Sequence, residues 1–114
     1  MKRILLVDDS KLILNIAAAM LGSRYEVITA GSAAEALDSA LTHHPHMVLT
    51  DLNLEGPSGQ QLRDTLLSDQ RTRDICTVIV TTEGELKRLG PGVDHLVKPF
   101  DQSSLLGKVQ QYLH

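Results

Sequence analysis

The chain has 114 residues, of which 42% are hydrophobic but only 3% aromatic, which predicts one domain with a core of Leu, Ile, Val and Ala. So few aromatic side chains exclude a base-stacking surface, and a formal net charge of −3 gives no field that would hold nucleic acid or an anionic membrane. One cysteine cannot form an internal disulfide, and no apolar run approaches the roughly 20 residues of a membrane span, which favours a cytoplasmic location.

Short apolar runs alternate with amphipathic segments along the chain. Runs typical of strands buried on both faces occupy residues 3–7, 25–29, 47–50, 75–80 and 93–97. Strict alternation of strands and helices implies right-handed crossovers between parallel strands. We therefore expect a single α/β domain over residues 1–114, with a doubly wound five-stranded parallel sheet and helices on both faces.

The helices are predicted from N-cap residues and from apolar side chains at helical spacing. Ser10, Ser32 and Asp101 are in position to cap helices, and a further helix carries Leu62 and Leu66. Each predicted helix has an apolar stripe that is expected to face the core. In the first helix it consists of Leu12, Ile13, Ile16, Met20 and Leu21, and in the second of Leu37 and Leu41. In the last helix it consists of Leu105, Leu106, Val109 and Leu113.

One stretch interrupts this rhythm. Between Thr82 and Asp94, where a fourth helix should connect two strands, the sequence contains three Gly and one Pro. These residues leave room for little more than one helical turn. The helix between the last two strands is therefore expected to be shortened or absent.

Polar side chains follow the predicted strands at the points where they end. Asp8 and Asp9 follow the first strand, Asp51 the third, Thr81 the fourth and Lys98 the fifth. The carboxyl ends of parallel strands lie at one edge of a sheet, where ligands bind. Crowded carboxylates repel unless a hard cation such as Mg²⁺ joins them, and a metal, a lysine and a hydroxyl around one carboxylate suit phosphoryl transfer.

These features resemble the receiver domain of two-component response regulators, a flavodoxin-like fold, over residues 2–113. The matching segments are Leu-Leu-Val-Asp8-Asp9, Leu-Thr-Asp51-Leu-Asn53 with the following Gly56 and Gly59, Val-Ile-Val-Thr81-Thr82, and Val-Lys98-Pro99-Phe100. The resemblance implies that Asp51 accepts a phosphoryl group from a histidine kinase or phosphotransfer protein. It also implies an Mg²⁺ ion bound by the side chains of Asp9 and Asp51, by the backbone carbonyl of Asn53 and, through water, by Asp8.

The resemblance assigns further roles around the acceptor. Thr81, chosen over its neighbour because the family pattern then reads without a gap, would bond a phosphoryl oxygen. Lys98 would pair with the phosphoryl group or the acceptor carboxylate, and the Lys98-Pro99 bond would be cis. Thr82 takes a position next to the acceptor where its bulk could slow access, although an ordinary surface threonine is an equal alternative. Glu83, like Asn53, occupies a position that modulates dephosphorylation in the family, although an exposed polar residue without this role is the alternative for both.

Two features depart from the family pattern. Only 17 residues separate Thr81 from Lys98, about five fewer than expected, which is more than one helical turn. His95 stands where receivers usually place the Tyr or Phe that rotates on phosphorylation. It could still rotate and add pH sensitivity, or it could be a surface histidine with no switching role.

The sequence therefore predicts an Mg²⁺-dependent phosphoacceptor that switches a protein–protein interaction surface. It would not be an enzyme beyond accepting and hydrolysing its own phosphoryl group. Its expected partners are the phosphodonor and either a downstream protein or an attached output domain. An alternative is an interaction module with the receiver fold whose output does not depend on phosphorylation. A small phosphohydrolase is disfavoured because Asn53 stands where a second carboxylate would be needed.

Overall fold

The expected parallel sheet is present. The computed structural model of the protein describes residues 1–113; His114, the last residue of the expected domain, lies outside them. The strands are β1 (Arg3–Val7), β2 (Glu26–Ala30), β3 (Met47–Asp51), β4 (Cys76–Thr82) and β5 (His95–Lys98). All neighbouring strands pair in parallel in the order β2-β1-β3-β4-β5. This confirms the doubly wound α/β topology.

The α-helices connect the strands on both faces of the sheet. They are α1 (Lys11–Leu21), α2 (Ala33–His43), α3 (Gly59–Ser68) and α4 (Gln102–Tyr112), with a short 3-10 helix at Gly22–Arg24. None of the helices within residues 1–113 is long and apolar enough to cross a membrane.

Alternate side chains of the strands divide the core into two layers. In β1, Ile4 and Leu6 face the layer that α1 and α4 cover, whereas Leu5 and Val7 face the layer covered by α2 and α3. All four side chains are buried, as is usual for a central parallel strand with helices on both faces. The core is aliphatic, as the composition predicts.

Helix starts follow the N-cap residues. The side chains of Ser10, Ser32 and Asp101 each accept a hydrogen bond from a backbone N–H in the first turn, which confirms these three caps. A complete reciprocal capping box lies at Ser58, whose partner Gln61 donates its N–H to the Ser58 hydroxyl and accepts from the Ser58 N–H.

The predicted inner faces of α1 and α2 are only partly correct, since Leu21 is buried and Leu37 packs against the core, but most of the predicted residues are not buried. In α1 the buried residues are Leu14, Ala17 and Leu21, while Leu12 is 68% exposed. In α2 the buried residues are Ala33, Ala36 and Ala40. Both sets follow the i, i+3, i+7 spacing, and their alanines let the helix axes approach the sheet closely, which larger side chains on that face would prevent.

The connection between β4 and β5 is shortened, as expected. It contains a six-residue 3-10 helix, Glu83–Arg88, in place of a full α-helix. β4 continues through Thr82, two residues beyond its predicted end, because Thr81 and Thr82 pair with Val97 and Lys98 of β5. The Lys98-Pro99 bond is cis.

Candidate functional site

The carboxyl ends of the central strands bring the predicted polar residues to one edge of the sheet. Asp51 ends β3 in register with Val80 of β4, and Lys98 ends β5 in register with Thr82. β1 lies on the other side of β3, so Asp8, which directly follows β1, reaches the same edge. The topology thus places two acidic groups and one basic group around the end of β3.

Asp51 and Lys98 form an ion pair at the centre of this edge. The Lys98 Nζ atom donates a hydrogen bond to Asp51 Oδ2 over 3.2 Å. The Asp51 side chain is only 12% exposed, against 30% for Lys98. The Asp51 carboxylate is therefore accessible at few points, and one of its oxygens already faces a positive charge.

Burial and neighbouring charges disfavour the ionised form of the Asp8 carboxyl. Burial raises the pKa of the Asp8 carboxyl, and the nearby charges of Asp51 and Asp9 raise it further. A hydrogen bond of 2.9 Å from the Ser10 N–H to Asp8 Oδ1, together with the charge of Lys98, offsets part of this effect. The site therefore holds more negative charge than its one lysine balances, and a cation would relieve the excess.

The residues fit a hydrated divalent cation better than a closed metal cage. Within residues 1–113, no three His, Cys, Asp or Glu side chains are close enough to enclose a metal ion alone. Asp8 and Asp51 both line a cavity of about 20 Å³, and Asp9 is exposed beside them. Because Mg²⁺ usually retains several waters and binds through one or two carboxylates, this donor set suits it.

Thr81 and Thr82 lie at the end of β4 in different environments. Thr81 is 1% exposed, and its Oγ1 has only a long contact of 3.5 Å with the Thr82 carbonyl oxygen. Thr82 is exposed, and its Oγ1 donates to Glu85 Oε1 over 3.2 Å. The Thr81 hydroxyl therefore makes only a long contact, in a strand that pairs with β3. The Thr82 hydroxyl is already hydrogen-bonded to Glu85.

Glu85, which the sequence reasoning missed, contacts Asn53 in the loop after β3 and Thr82 at the end of β4. The Asn53 Nδ2 atom lies 2.8 and 3.0 Å from the two Glu85 carboxylate oxygens. Arg88 Nη1 donates to Glu85 Oε2 over 2.6 Å. The pKa of the Glu85 carboxyl is lowered, first by the Asn53 hydrogen bond. Glu83, the residue predicted to modulate the site, is exposed and has no side-chain hydrogen bond among the described residues.

His95 begins β5 and is half-buried. Its backbone N–H donates to Asp94 Oδ1 over 2.8 Å, and its register partner in β4 is Ile79. Its side chain makes no hydrogen bond with the described residues. The position expected to carry a rotating aromatic side chain is therefore occupied by an imidazole at the start of the edge strand.

The first residue of α3 lies directly against the backbone of Asp51. A Cβ atom at Gly59 would be 2.2 Å from the Asp51 carbonyl oxygen and 3.2 Å from Leu52 Cα. The Gly59 N–H donates to the Leu52 carbonyl over 2.9 Å. Only glycine permits this close approach, and the contact fixes the backbone that follows Asp51.

An apolar groove opens beside the ion pair. It has a volume of about 470 Å³ and is lined by exposed parts of α1, by the ends of β4 and β5 and by the turn that follows: Ile13, Ile16, Ala17, Met20, Thr82, Lys98, Pro99 and Phe100. Ile13 and Phe100 also line the small cavity beside Asp51. Ile13 and Ile16, which α1 leaves exposed, therefore belong to a surface continuous with the cavity beside Asp51.

The chain is similar to known proteins over almost its whole length. Over 118 aligned residues the chain is 30% identical to the polar-differentiation response regulator DivK of Brucella ovis, covering 98% of this chain and 96% of the relative. It is 33% identical to the protein PilH of Pseudomonas aeruginosa over 120 residues, covering 99% and 98%. The structure of the chemotaxis response regulator CheY4 of Vibrio cholerae superimposes with a TM-score of 0.89 at 30% identity, with 98% of each chain covered.

The family profile agrees with these relatives. The profile described as the response regulator receiver domain matches residues 4–110, which include β2 to β5, all of β1 except Arg3, and α4 except its last two residues. The chain belongs to the response regulator receiver domain family.

Proposed function

We propose that this receiver domain accepts a phosphoryl group on Asp51 from a histidine kinase or phosphotransfer protein, and that the phosphoryl group switches a protein–protein interaction surface. The observation that carries the proposal is the ion pair of 3.2 Å between Lys98 Nζ and Asp51 Oδ2. It holds a positive charge where transferred phosphoryl oxygens would lie, and charge neutralisation with positioning is most of what this reaction requires.

In the proposed reaction an Asp51 carboxylate oxygen bonds to the donor phosphorus, while the phosphorus–nitrogen bond breaks and the donor histidine retains the electron pair. Lys98 then moves from the carboxylate to a phosphoryl oxygen, and the Thr81 hydroxyl, weakly engaged before transfer, donates to another. Water later attacks phosphorus, releases inorganic phosphate and restores the carboxylate. The chain would thus process only its own phosphoryl group, without turnover of other phosphate esters.

Mg²⁺ would be held by the side chains of Asp9 and Asp51, the Asn53 backbone carbonyl and, through water, Asp8. When bound there it would neutralise charge on the transferring phosphoryl group. The raised pKa of Asp8, caused by burial and then by neighbouring carboxylates, supports a cation requirement. The described residues supply only Lys98 as a nearby positive charge on Asp8.

The groove beside Lys98 is the proposed docking surface for the donor segment that carries the histidine. It is continuous with the acceptor site, since Ile13 and Phe100 line both. Ile13 and Ile16 in its lining are exposed, so a partner helix could bury them. After transfer, a downstream protein or an attached output domain would recognise the altered surface around β4 and β5.

The test of this function is chemical phosphorylation. The chain with Mg²⁺ is incubated with acetyl phosphate, and the protein mass is measured. We expect one alkali-labile phosphoryl group on the wild-type chain and on Asp38→Asn, a variant of an exposed aspartate on α2, but none on Asp51→Asn. Uptake by Asp51→Asn equal to wild type, or no uptake by the wild-type chain, would contradict the proposal.

A second candidate is a receiver-fold interaction module whose output does not depend on phosphorylation. The observations that favour it are the six-residue 3-10 helix in place of a full α-helix between β4 and β5, and His95 where a rotating aromatic side chain is expected. In that case Asp51→Asn would retain full signalling activity in the cell. Loss of activity in Asp51→Asn but not in Asp38→Asn would favour the phosphoacceptor function.

A further inference from the structure

Glu85 joins two segments that flank the acceptor site. Asn53, two residues after Asp51, donates to both Glu85 carboxylate oxygens over 2.8 and 3.0 Å. Thr82, in register with Lys98, donates to Glu85 Oε1 over 3.2 Å. These hydrogen bonds, here called the Glu85 bridge, therefore connect a residue on the Asp51 side of the ion pair with one on the Lys98 side.

The shortened connection creates this bridge. Thr82 immediately precedes the 3-10 helix Glu83–Arg88, and Glu85 is its third residue. Arg88 then lies one 3-10 turn after Glu85 and donates to its Oε2 over 2.6 Å. The Glu85 side chain is only 25% exposed although its helix has no buried residue, because three donors surround its carboxylate.

The bridge has two consequences for the acceptor. It engages the Asn53 side-chain amide, which therefore cannot turn toward an attacking water or an incoming donor. It also holds the loop after β3 against the end of β4, which narrows the approach to Asp51 from this side. Both effects oppose the entry of water, which needs a defined position in line with the breaking bond.

We propose that Glu85 is a positioning residue that lengthens the lifetime of the phosphoryl group on Asp51, by holding Asn53 and Thr82 across the entrance to the site. The inference rests on the proposed phosphoacceptor function and deepens it. Glu85 would then control the rate of dephosphorylation, a role that the family pattern implies for Glu83. Glu85 acts through Asn53 and Thr82, and no contact with the phosphoryl group is required of it.

The experiment measures decay of the phosphorylated chain after removal of acetyl phosphate, with Mg²⁺ present. Glu85→Gln retains the side-chain size but replaces one accepting oxygen with an NH₂ group that repels the Asn53 donor. We expect decay about three- to tenfold faster, the change expected from losing one or two hydrogen bonds. Glu83→Gln, which removes the same charge two residues earlier from an exposed side chain, should leave the decay rate within about twofold of wild type.

A double-mutant cycle separates positioning from a general effect of charge. In an Asn53→Ala background, Glu85→Gln should change the decay rate by no more than about twofold, because the bridge is already broken. Effects of the two substitutions that multiply fully would overturn the proposal, as would equal acceleration by Glu83→Gln.

A second readout needs no phosphoryl group and no metal. In the Mg²⁺-free wild-type chain, the Asn53 side-chain amide resonances should be shifted from their free positions and exchange slowly with solvent; both signs should vanish in Glu85→Gln. If the Asn53 side-chain amide of the wild-type chain has the chemical shifts and solvent exchange of a free amide, the bridge itself is contradicted. A chain that is never phosphorylated would contradict the proposed function, whereas a phosphorylated chain whose decay Glu85→Gln leaves unchanged would contradict this inference alone.

Discussion

Gly59→Ala tests whether the contact between α3 and the end of β3 is required for both stability and phosphoryl acceptance. The added Cβ would lie 2.2 Å from the Asp51 carbonyl oxygen and 3.2 Å from Leu52 Cα. Because non-bonded heavy atoms are strongly repelled at such distances, helix and strand must separate by about 1 Å. The neighbouring atoms are backbone, so no side chain can rotate to make room.

The cost follows from two terms. Overpacking at a buried contact destabilises by about 1–3 kcal/mol, and the 2.9 Å hydrogen bond from Gly59 N–H to the Leu52 carbonyl contributes about 0.5–1.5 kcal/mol if it breaks. Alanine recovers at most about 1 kcal/mol of helix propensity. We therefore expect Gly59→Ala to lower the free energy of unfolding by roughly 1–3 kcal/mol. A domain of ordinary stability would remain folded.

The assays are urea unfolding and the rate of phosphorylation by acetyl phosphate. A displacement of about 1 Å at Asp51 should slow phosphorylation by up to about 100-fold. The matched control is Gly107→Ala, since Gly107 lies exposed within α4 and an added Cβ meets nothing within 4 Å. It should stabilise the chain by about 0.5–1 kcal/mol. A Gly59→Ala chain with wild-type stability and wild-type phosphorylation would refute the close-contact argument.

Three further predictions concern charge. Lys98→Met should slow phosphorylation by acetyl phosphate about 100-fold, as losing one preorganised charge does, while circular dichroism shows the same helix content as wild type. Saturating Mg²⁺ should stabilise the wild-type chain against urea by about 2.7 kcal/mol at 100 times the dissociation constant, and Asp9→Ala but not Asp38→Ala should abolish this gain. The pKa of Asp69 is lowered to about 2, first by the Arg71 side-chain hydrogen bond, so its stabilising effect is complete above the ordinary pKa of 3.8 and lost as pH falls through 2. In the Arg71→Ala variant, carboxyl NMR titration should show that the pKa of Asp69 has moved back toward 3.8.

The sheet and the polar edge that carries Asp8, Asp51 and Lys98 could be predicted because both depend on local sequence. A run such as Ile4–Val7 is apolar on both faces, which suits a strand covered by helices on both sides. Once the strands are parallel, the residues that end them must share an edge. Asp8, Asp51 and Lys98 therefore meet there whatever the helices between them look like.

The inner faces of the first two helices could not be predicted by apolar spacing alone. In α1, large apolar side chains occupy two faces, and the larger set, which includes Ile13 and Ile16, is the one left outside. The sheet accepts the face with Ala17 because a small side chain brings the helix closer. The exposed residues Ile13 and Ile16 then line the groove beside Lys98. The incorrectly predicted face of α1 and the candidate docking surface therefore have the same physical origin.

The loss of a helix between β4 and β5 could be predicted from Gly and Pro, but its replacement could not. The Gly90 N–H donates to Gln60 Oε1 over 3.2 Å, and Arg63 Nη2 donates to the Gly92 carbonyl over 3.3 Å, so α3 holds one end of the connection. Glu85 holds the other end through Asn53. A full helix would satisfy its backbone groups internally, whereas in this shorter segment side chains of α3 bond backbone groups of Gly90 and Gly92. Such contacts join residues about 30 positions apart, and their partners depend on the length of the connection rather than on any local pattern.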